Sequence, residues 1–323
     1  MNCMIQIMLG LIKDKRDSTN SGKALIRTIT FLIIIIGLVV STRLPAQSNA
    51  PVVNTLLWKI SGNGLTQPSY LFGSNHLICK KDAEGLISDL VKQAIKSVDE
   101  VCFEVYMSNS AQMIIAQKYN DMVNDVKLNQ LLTSKEMDTV NNYYQNHPEI
   151  GIPKEAINTL KPSLFSSMIS VALLPCHKEI SNMEDVISTL GKENDKKISG
   201  ISTYKEQLGF IDSIPYQQQA KDLMAKIRLL NNLTEENNSY LKTLKLYIAQ
   251  DAVKLDSVIK GGSTDRFAKI IGEERNKRWM PRFKQKLQTQ TLFIAVGFAH
   301  LFGPEGLINL FIKNGYTVEG IKN

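Results

Sequence analysis

Residues 291–300 read TLFIAVGFAH, and residues 69–76 read SYLFGSNH. The first stretch holds an unbroken apolar run, Leu292 to Val296. Such a run is what a central parallel strand buried on both faces requires. Both stretches end in the same arrangement, a glycine closing the strand and a histidine three residues later: Gly73 with His76, and Gly297 with His300. In open α/β sheets the residues just beyond the carboxyl ends of the strands line the ligand crevice. Two of the chain's four histidines therefore fall where a site is built. Each imidazole taken alone reads equally well as a satisfied structural histidine.

Working outward from these two strands gives the rest of the sheet. Leu56–Ile60 and Ser69–Gly73 form a hairpin across a Gly- and Pro-rich link. Apolar residues at 86, 87, 90, 91, 94, 95 and 98 mark one face of a helix over 84–98. Asp99–Val105 then alternates as a strand, so a βαβ unit is expected. The middle of the chain is mostly helical. Thr133-x-x-Glu136 and Ser181-x-x-Glu184 read as capping boxes that open helices. Ile198–Ile201 is a short strand, Pro304 falls in the first turn of a helix closed by Gly315, and Tyr316–Ile321 is the last strand. The expected fold class is α/β: one mostly parallel sheet built from both ends of the mature chain, flanked by helices. The middle segment, about 107–290, forms a helical cap.

Glu104 lies inside a short apolar strand, where an unpaired carboxylate would cost several kcal/mol. It needs a cation, a protonated partner or a metal beside it, unless the register turns its face to solvent. His76, His300 and Glu104 together are a sufficient donor set for a catalytic divalent ion. Arg275 and Asn276 lie in a charged helical stretch, EERNKRW. That stretch reads as a solvated face, or Arg275 supplies a fixed positive charge for a carboxylate or an oxyanion. His147 and His177 sit in polar flanks and read as surface residues.

The amino end is read separately. Residues 28–41 are TITFLIIIIGLVVS, preceded by Lys23 and Arg27 and followed by Leu44-Pro45-Ala46. A basic flank, a short apolar run and a small-residue exit make a signal peptide with cleavage after Ala46. An uncleaved anchor is the alternative, and it would be the chain's sole link to a membrane. Residues 1–46 are thus a leader, and 47–323 a single domain in an exported protein. The whole chain carries a formal net charge of +7. Without the leader that falls to +3, and no Lys/Arg stripe with interleaved aromatics appears, so a nucleic-acid partner is not expected. Cys79, Cys102 and Cys176 fit no zinc motif. A Cys79–Cys176 disulfide is expected, with Cys102 left on its strand as a free thiol.

LLWKISGNGL, PSYLFGSNHL, VCFEV, the Glu-Arg-Asn-Lys-x-Trp stretch and FIAVGFAHLFGPEGLINLFIKNGYTV together resemble the TraB/GumN family, to which the Tiki metalloproteases are related. The resemblance covers almost all of 56–321. It implies a fold of the erythromycin-esterase/ChaN type and metal-dependent peptide-bond hydrolysis, with His76, His300 and Glu104 on the family's motif positions. The chain departs from the pattern at Tyr106 and Ser202, where the family carries carboxylates, and at Phe298, where it carries a small residue. The resulting expectation is an exported metal-dependent hydrolase with a peptide or small-molecule substrate. His76, Glu104 and His300 bind an ion of the Mn, Co or Zn class, Arg275 stabilises an oxyanion, and Ser74, Asn75, Tyr204 and Asn276 face the substrate. The alternative is a non-catalytic protein holding a metal, a haem-like ligand or a peptide, which Tyr106 and Ser202 favour.

Overall fold

The computed structural model describes residues 53–108, 113, 118–151, 153–176, 179–262 and 269–322. The leader and His177 lie outside them. The described chain forms two compact units. One holds residues 53–106, 181–203 and 239–322, and the other 107–180 and 204–238.

The first unit carries a six-stranded sheet. Its strands are β1 (Leu57–Gly62), β2 (Ser69–Ser74), β3 (Glu100–Val105), β4 (Lys197–Ser202), β5 (Leu292–Gly297) and β6 (Tyr316–Gly320). Their order across the sheet is β4-β3-β5-β2-β1-β6. The four strands from β4 to β2 run parallel, while β1 is antiparallel to both β2 and β6. The fold is therefore mixed α/β with a mostly parallel sheet, as the two apolar runs require. All six residues of β5 are buried, as befits its central place. Phe72 on β2 stacks on Phe293 of β5 at 5.9 Å, and such a pair adds about 1 kcal/mol beyond its burial.

Three local expectations need correction. The helix over 84–98 is two helices, Lys80–Leu86 and Asp89–Lys96. Ser88 breaks it by accepting a hydrogen bond from Val91 N–H as the second helix's cap. The strands β2 and β3 share a sheet but are not neighbours, because β5 lies between them. The helix after Pro304 is Leu307–Lys313 and starts at a Gly306 cap, so Pro304 precedes it. Gly315 ends that helix with φ +87°, the left-handed conformation that favours glycine.

The second unit is helical, with Leu128–Leu131, Ser134–Asn146, Pro162–Ile169, Tyr204–Asp212 and Tyr216–Asn231. Thr133 and Glu136 form the expected capping box. Helix Pro162–Ile169 is buried along its whole length, which fits its apolar composition. Helices Ser239–Ile248, Ala252–Gly262 and Arg275–Leu287, read as part of the cap, group with the sheet. Among the described residues no helix is long and apolar enough to cross a membrane. Cys79 and Cys176 are disulfide-bonded, and Cys102 is a free, buried thiol.

Candidate functional site at the carboxyl edge of the sheet

The register sets the site. Gly73 pairs with Val296 and Ser74 with Gly297, so the two Gly-x-x-His turns leave the same edge side by side. On the other side of β5, Phe103 pairs with Ala295, which brings the following Glu104 level with the same edge. The turns are in close contact. A Cβ on Gly73 would stand 3.1 Å from Phe298 Cβ and 3.2 Å from its Cα, tighter than ordinary packing, so a larger residue there would have to push the second turn away by a few tenths of an ångström.

Glu104 and Arg275 form the centre. Glu104 is 3 % exposed and Arg275 is 1 % exposed. Arg275 Nη2 donates to Glu104 Oε2 at 2.6 Å, and Gly297 N–H donates to Glu104 Oε1 at 2.8 Å. Burial would raise the Glu104 pKa, but Arg275, then His300, His76 and the Gly297 N–H outweigh it and hold the carboxyl at about 2. The strand glutamate thus has the cation its position demands. The Arg275 guanidinium also lies over the Trp279 ring, 4.5 Å from its centroid. A π-helical turn, Lys269–Glu274, leads directly into the helix that carries these residues. EERNKRW is therefore not a solvated face: Arg275, Asn276 and Trp279 are all buried.

His300 is held by Asn276. The Asn276 amide nitrogen donates to the carbonyls of His300 and Glu305, at 3.0 and 2.8 Å. These two bonds fix the amide's orientation, so the oxygen 2.7 Å from His300 Nδ1 is an acceptor. His300 therefore carries its proton on Nδ1 and turns the Nε2 lone pair toward Arg275 Nη1, at 3.4 Å, and Glu104 Oε1, at 3.5 Å. Burial pushes its pKa down to about 4 against the pull of Glu104, so this imidazole is neutral.

His76 is in the opposite electrical state. Its Nδ1 stands 2.7 Å from Glu184 Oε2. The contact is an ion pair, not an aligned hydrogen bond, since neither atom has a well-directed hydrogen-bond partner. Burial lowers the His76 pKa, but Glu184 and then Glu104 more than reverse this and raise it to about 9. The other oxygen of Glu184 accepts the Ser74 hydroxyl.

Glu184 is the site residue that sequence reading missed. Ser181-x-x-Glu184 assigns its carboxylate to a helix cap. Instead Asn182 caps helix Met183–Glu193, its Oδ1 accepting the Glu184 N–H at 3.0 Å. This moves Glu184 from the third helical position to the second and frees its side chain for His76 and Ser74. The signal was the asparagine one residue on, at least as good a cap as serine.

The remaining expected residues are placed as follows. Ser74 and Asn75 are buried beside His76, whereas Asn276 commits its amide to His300 and Glu305. Tyr204 belongs to the helical unit, where its hydroxyl donates to Asn120 Oδ1 at 2.6 Å. At the two departures from the family pattern, Ser202 accepts the Trp279 indole N–H at 2.7 Å, and the Tyr106 ring stacks on Phe103. His147 is half-buried and stacks on Tyr143. Among the described residues no three His, Cys, Asp or Glu side chains close up into a metal cage.

A mostly parallel sheet, with a buried carboxylate–guanidinium pair and two imidazoles at its carboxyl edge, defines an α/β protein with a charged strand-edge centre. The TraB/PrgY/gumN family profile matches residues 56–320, and the chain belongs to that family. No curated protein and no solved structure matches the chain.

Proposed function

We propose that the protein is an exported metal-dependent hydrolase acting on peptide-type carbonyl groups. One observation carries the reading. His300 turns a neutral, lone-pair-bearing Nε2 inward, 3.5 Å from a carboxylate oxygen of Glu104. Two ligand atoms on a tetrahedral ion, each ~2.0–2.1 Å from it, stand roughly 3.4 Å apart. His76 would be the third member once it gives up the proton that Glu184 stabilises, and the three side chains, which form no cage among the described residues, would have to draw together. His76, Glu104 and His300 would hold the ion, which when bound supplies an activated water and a polarised carbonyl. The protein's own groups do the rest. Asn276 keeps the proton on His300 Nδ1, the kind of outer partner that metal-binding histidines carry, and Glu184 holds His76 from its Nδ1 side as an ion pair. Arg275 keeps Glu104 ionised and places a fixed positive charge where an oxyanion would develop. The basic-flanked apolar run ending at Ala46 supports export, as does the disulfide, a bond that persists in oxidising compartments.

Metal analysis of the purified protein, run beside a His76→Ala/His300→Ala variant, tests the reading. One ion per chain in the parent and none in the variant is expected, with metal-dependent cleavage of a peptide library that disappears in Glu104→Gln. A protein that takes up no divalent ion refutes it. Ser202 and Tyr106 favour the second reading, a non-catalytic binder, because positions that carry acids in the family are here engaged in packing and in the Trp279 bond. Stoichiometric metal without turnover would select that reading.

A further inference from the structure

Two buried amide groups beside His76 have donors left over. Asn75 is 4 % exposed and Asn182 is 5 % exposed. The Asn75 Oδ1 accepts Leu77 N–H at 3.0 Å and lies 3.5 Å from the Tyr240 hydroxyl, while the Asn182 Oδ1 accepts Glu184 N–H. Those bonds fix both amides with oxygen toward the backbone. Each NH2 group is thereby left as the free end, and neither Nδ2 has a hydrogen-bond partner among the described residues. The two residues are neighbours across a backbone bond, Met183 N–H to Asn75 O at 3.3 Å. They flank the His76–Glu184 pair, one preceding His76 and the other capping the helix that carries Glu184.

A buried NH2 without an acceptor costs about 1–3 kcal/mol. Two of them, on residues joined through the Met183–Asn75 backbone bond, call for an acceptor from outside the chain. Its charge follows from the surroundings. Glu184 lies on this side of the site, and Asp185, next to it, has its pKa pushed up to about 6 by burial and by the Glu184 charge. The His76 imidazolium offsets one of these carboxylates but not both, so an anion here would be repelled, whereas an uncharged carbonyl would not. We propose that Asn75 and Asn182 form a two-donor subsite for an uncharged carbonyl oxygen, that of an amide or ester, seated next to His76. The inference rests on the hydrolase reading for its purpose, naming the substrate group that the site grips, but not for its test.

The test uses the metal-free protein, labelled with 15N in its asparagine side chains, and N-methylacetamide as the probe, with acetate as its charged counterpart. Asn75→Ser and Asn182→Ser identify the two NH2 signals by their loss. Serine keeps an oxygen for the Leu77 and Glu184 N–H groups, so the turn and the helix cap persist. Both signals are expected to shift saturably with the amide and to respond far less to acetate. Each variant should weaken amide binding about fivefold, one neutral hydrogen bond's worth. Signals that stay put in the amide titration mean that ordered water alone satisfies the donors, and the subsite is overturned. An equal or larger response to acetate overturns the uncharged-carbonyl assignment. Neither result depends on metal uptake: a subsite that fails in a metal-dependent hydrolase, and one that holds in a protein binding no metal, are separate outcomes.

Discussion

Replacing Glu104 with glutamine probes the centre most directly. The change keeps the shape and leaves an oxygen for the Gly297 N–H, but strands the Arg275 charge, which is 1 % exposed. Breaking one side of a buried ion pair costs ~3–5 kcal/mol. The carboxyl's own displacement, from 4.5 to about 2, corresponds to roughly 3 kcal/mol at 1.36 kcal/mol per pH unit. The two routes agree. At about 2–4 °C per kcal/mol for a domain of this size, Glu104→Gln should melt some 6–12 °C lower at pH 7. The pH dependence has a definite sign. A depressed carboxylate stabilises fully above its unfolded value near 4.5 and loses that contribution as pH falls toward about 2. The parent should therefore lose its advantage over the variant across that window. Thermal melts of both proteins at pH 7, 5, 4 and 3 measure this. Adding Arg275→Met should recover part of the loss, since the stranded charge is then gone. A single variant that melts within ~2 °C of the parent at pH 7 would refute the claim that Glu104 is what holds the buried guanidinium.

Three further outcomes are expected. In Glu184→Gln the His76 pKa, about 9 in the parent, should fall below 6.5 by ring NMR titration, because burial is then left with much weaker opposition. The parent's His76 contribution is complete below pH 6.5 and fades as pH rises through about 9, so its melting temperature should drop over that range more than the variant's. Asn276→Ala frees the His300 ring and should weaken Co(II) binding 10–100-fold in a spectroscopic titration; unchanged affinity would mean Asn276 does not set the tautomer. Cys102, buried and with its thiol pushed up to about 11 by burial, should resist alkylation at pH 8 in the native protein and react once the chain is denatured; rapid native labelling would contradict its burial.

Much of the site was legible because it follows from strand ends. TLFIAV and SYLFG announce buried strands by composition alone, and a histidine three residues past each closing glycine must then emerge at the same edge. Glu104 was legible for a related reason: a carboxylate on an apolar strand implies a cation, and Arg275 supplies it. The charged helix EERNKRW was ambiguous, since charge density alone suggests solvent and only packing reveals that three of its residues face inward. Glu184 was not legible from the capping pattern, because a shift of one residue in the cap redirects its carboxylate from the backbone to His76. The neighbour relation of β2 and β3 was also hidden. Local order suggests that consecutive parallel strands pair, yet β5, from the far end of the chain, takes the place between them.

That insertion bears on biogenesis. β2 and β5 are hydrogen-bonded neighbours, yet His76 and His300 are 224 positions apart in sequence. Contacts of such separation are slow to form, because loop-closure entropy opposes them before they gain anything. A ribosome delivering this chain releases β2 and β3 long before β5 exists, so until then these two strands lack the neighbour that joins them and their apolar faces need shielding. A chain truncated before residue 292 has both carboxylates and His76 but no partner strand to align them. The charged centre therefore cannot mature on a partly synthesised chain. It comes into being only after β5 and the turn to His300 have been made, which ties any activity it carries to synthesis past that point.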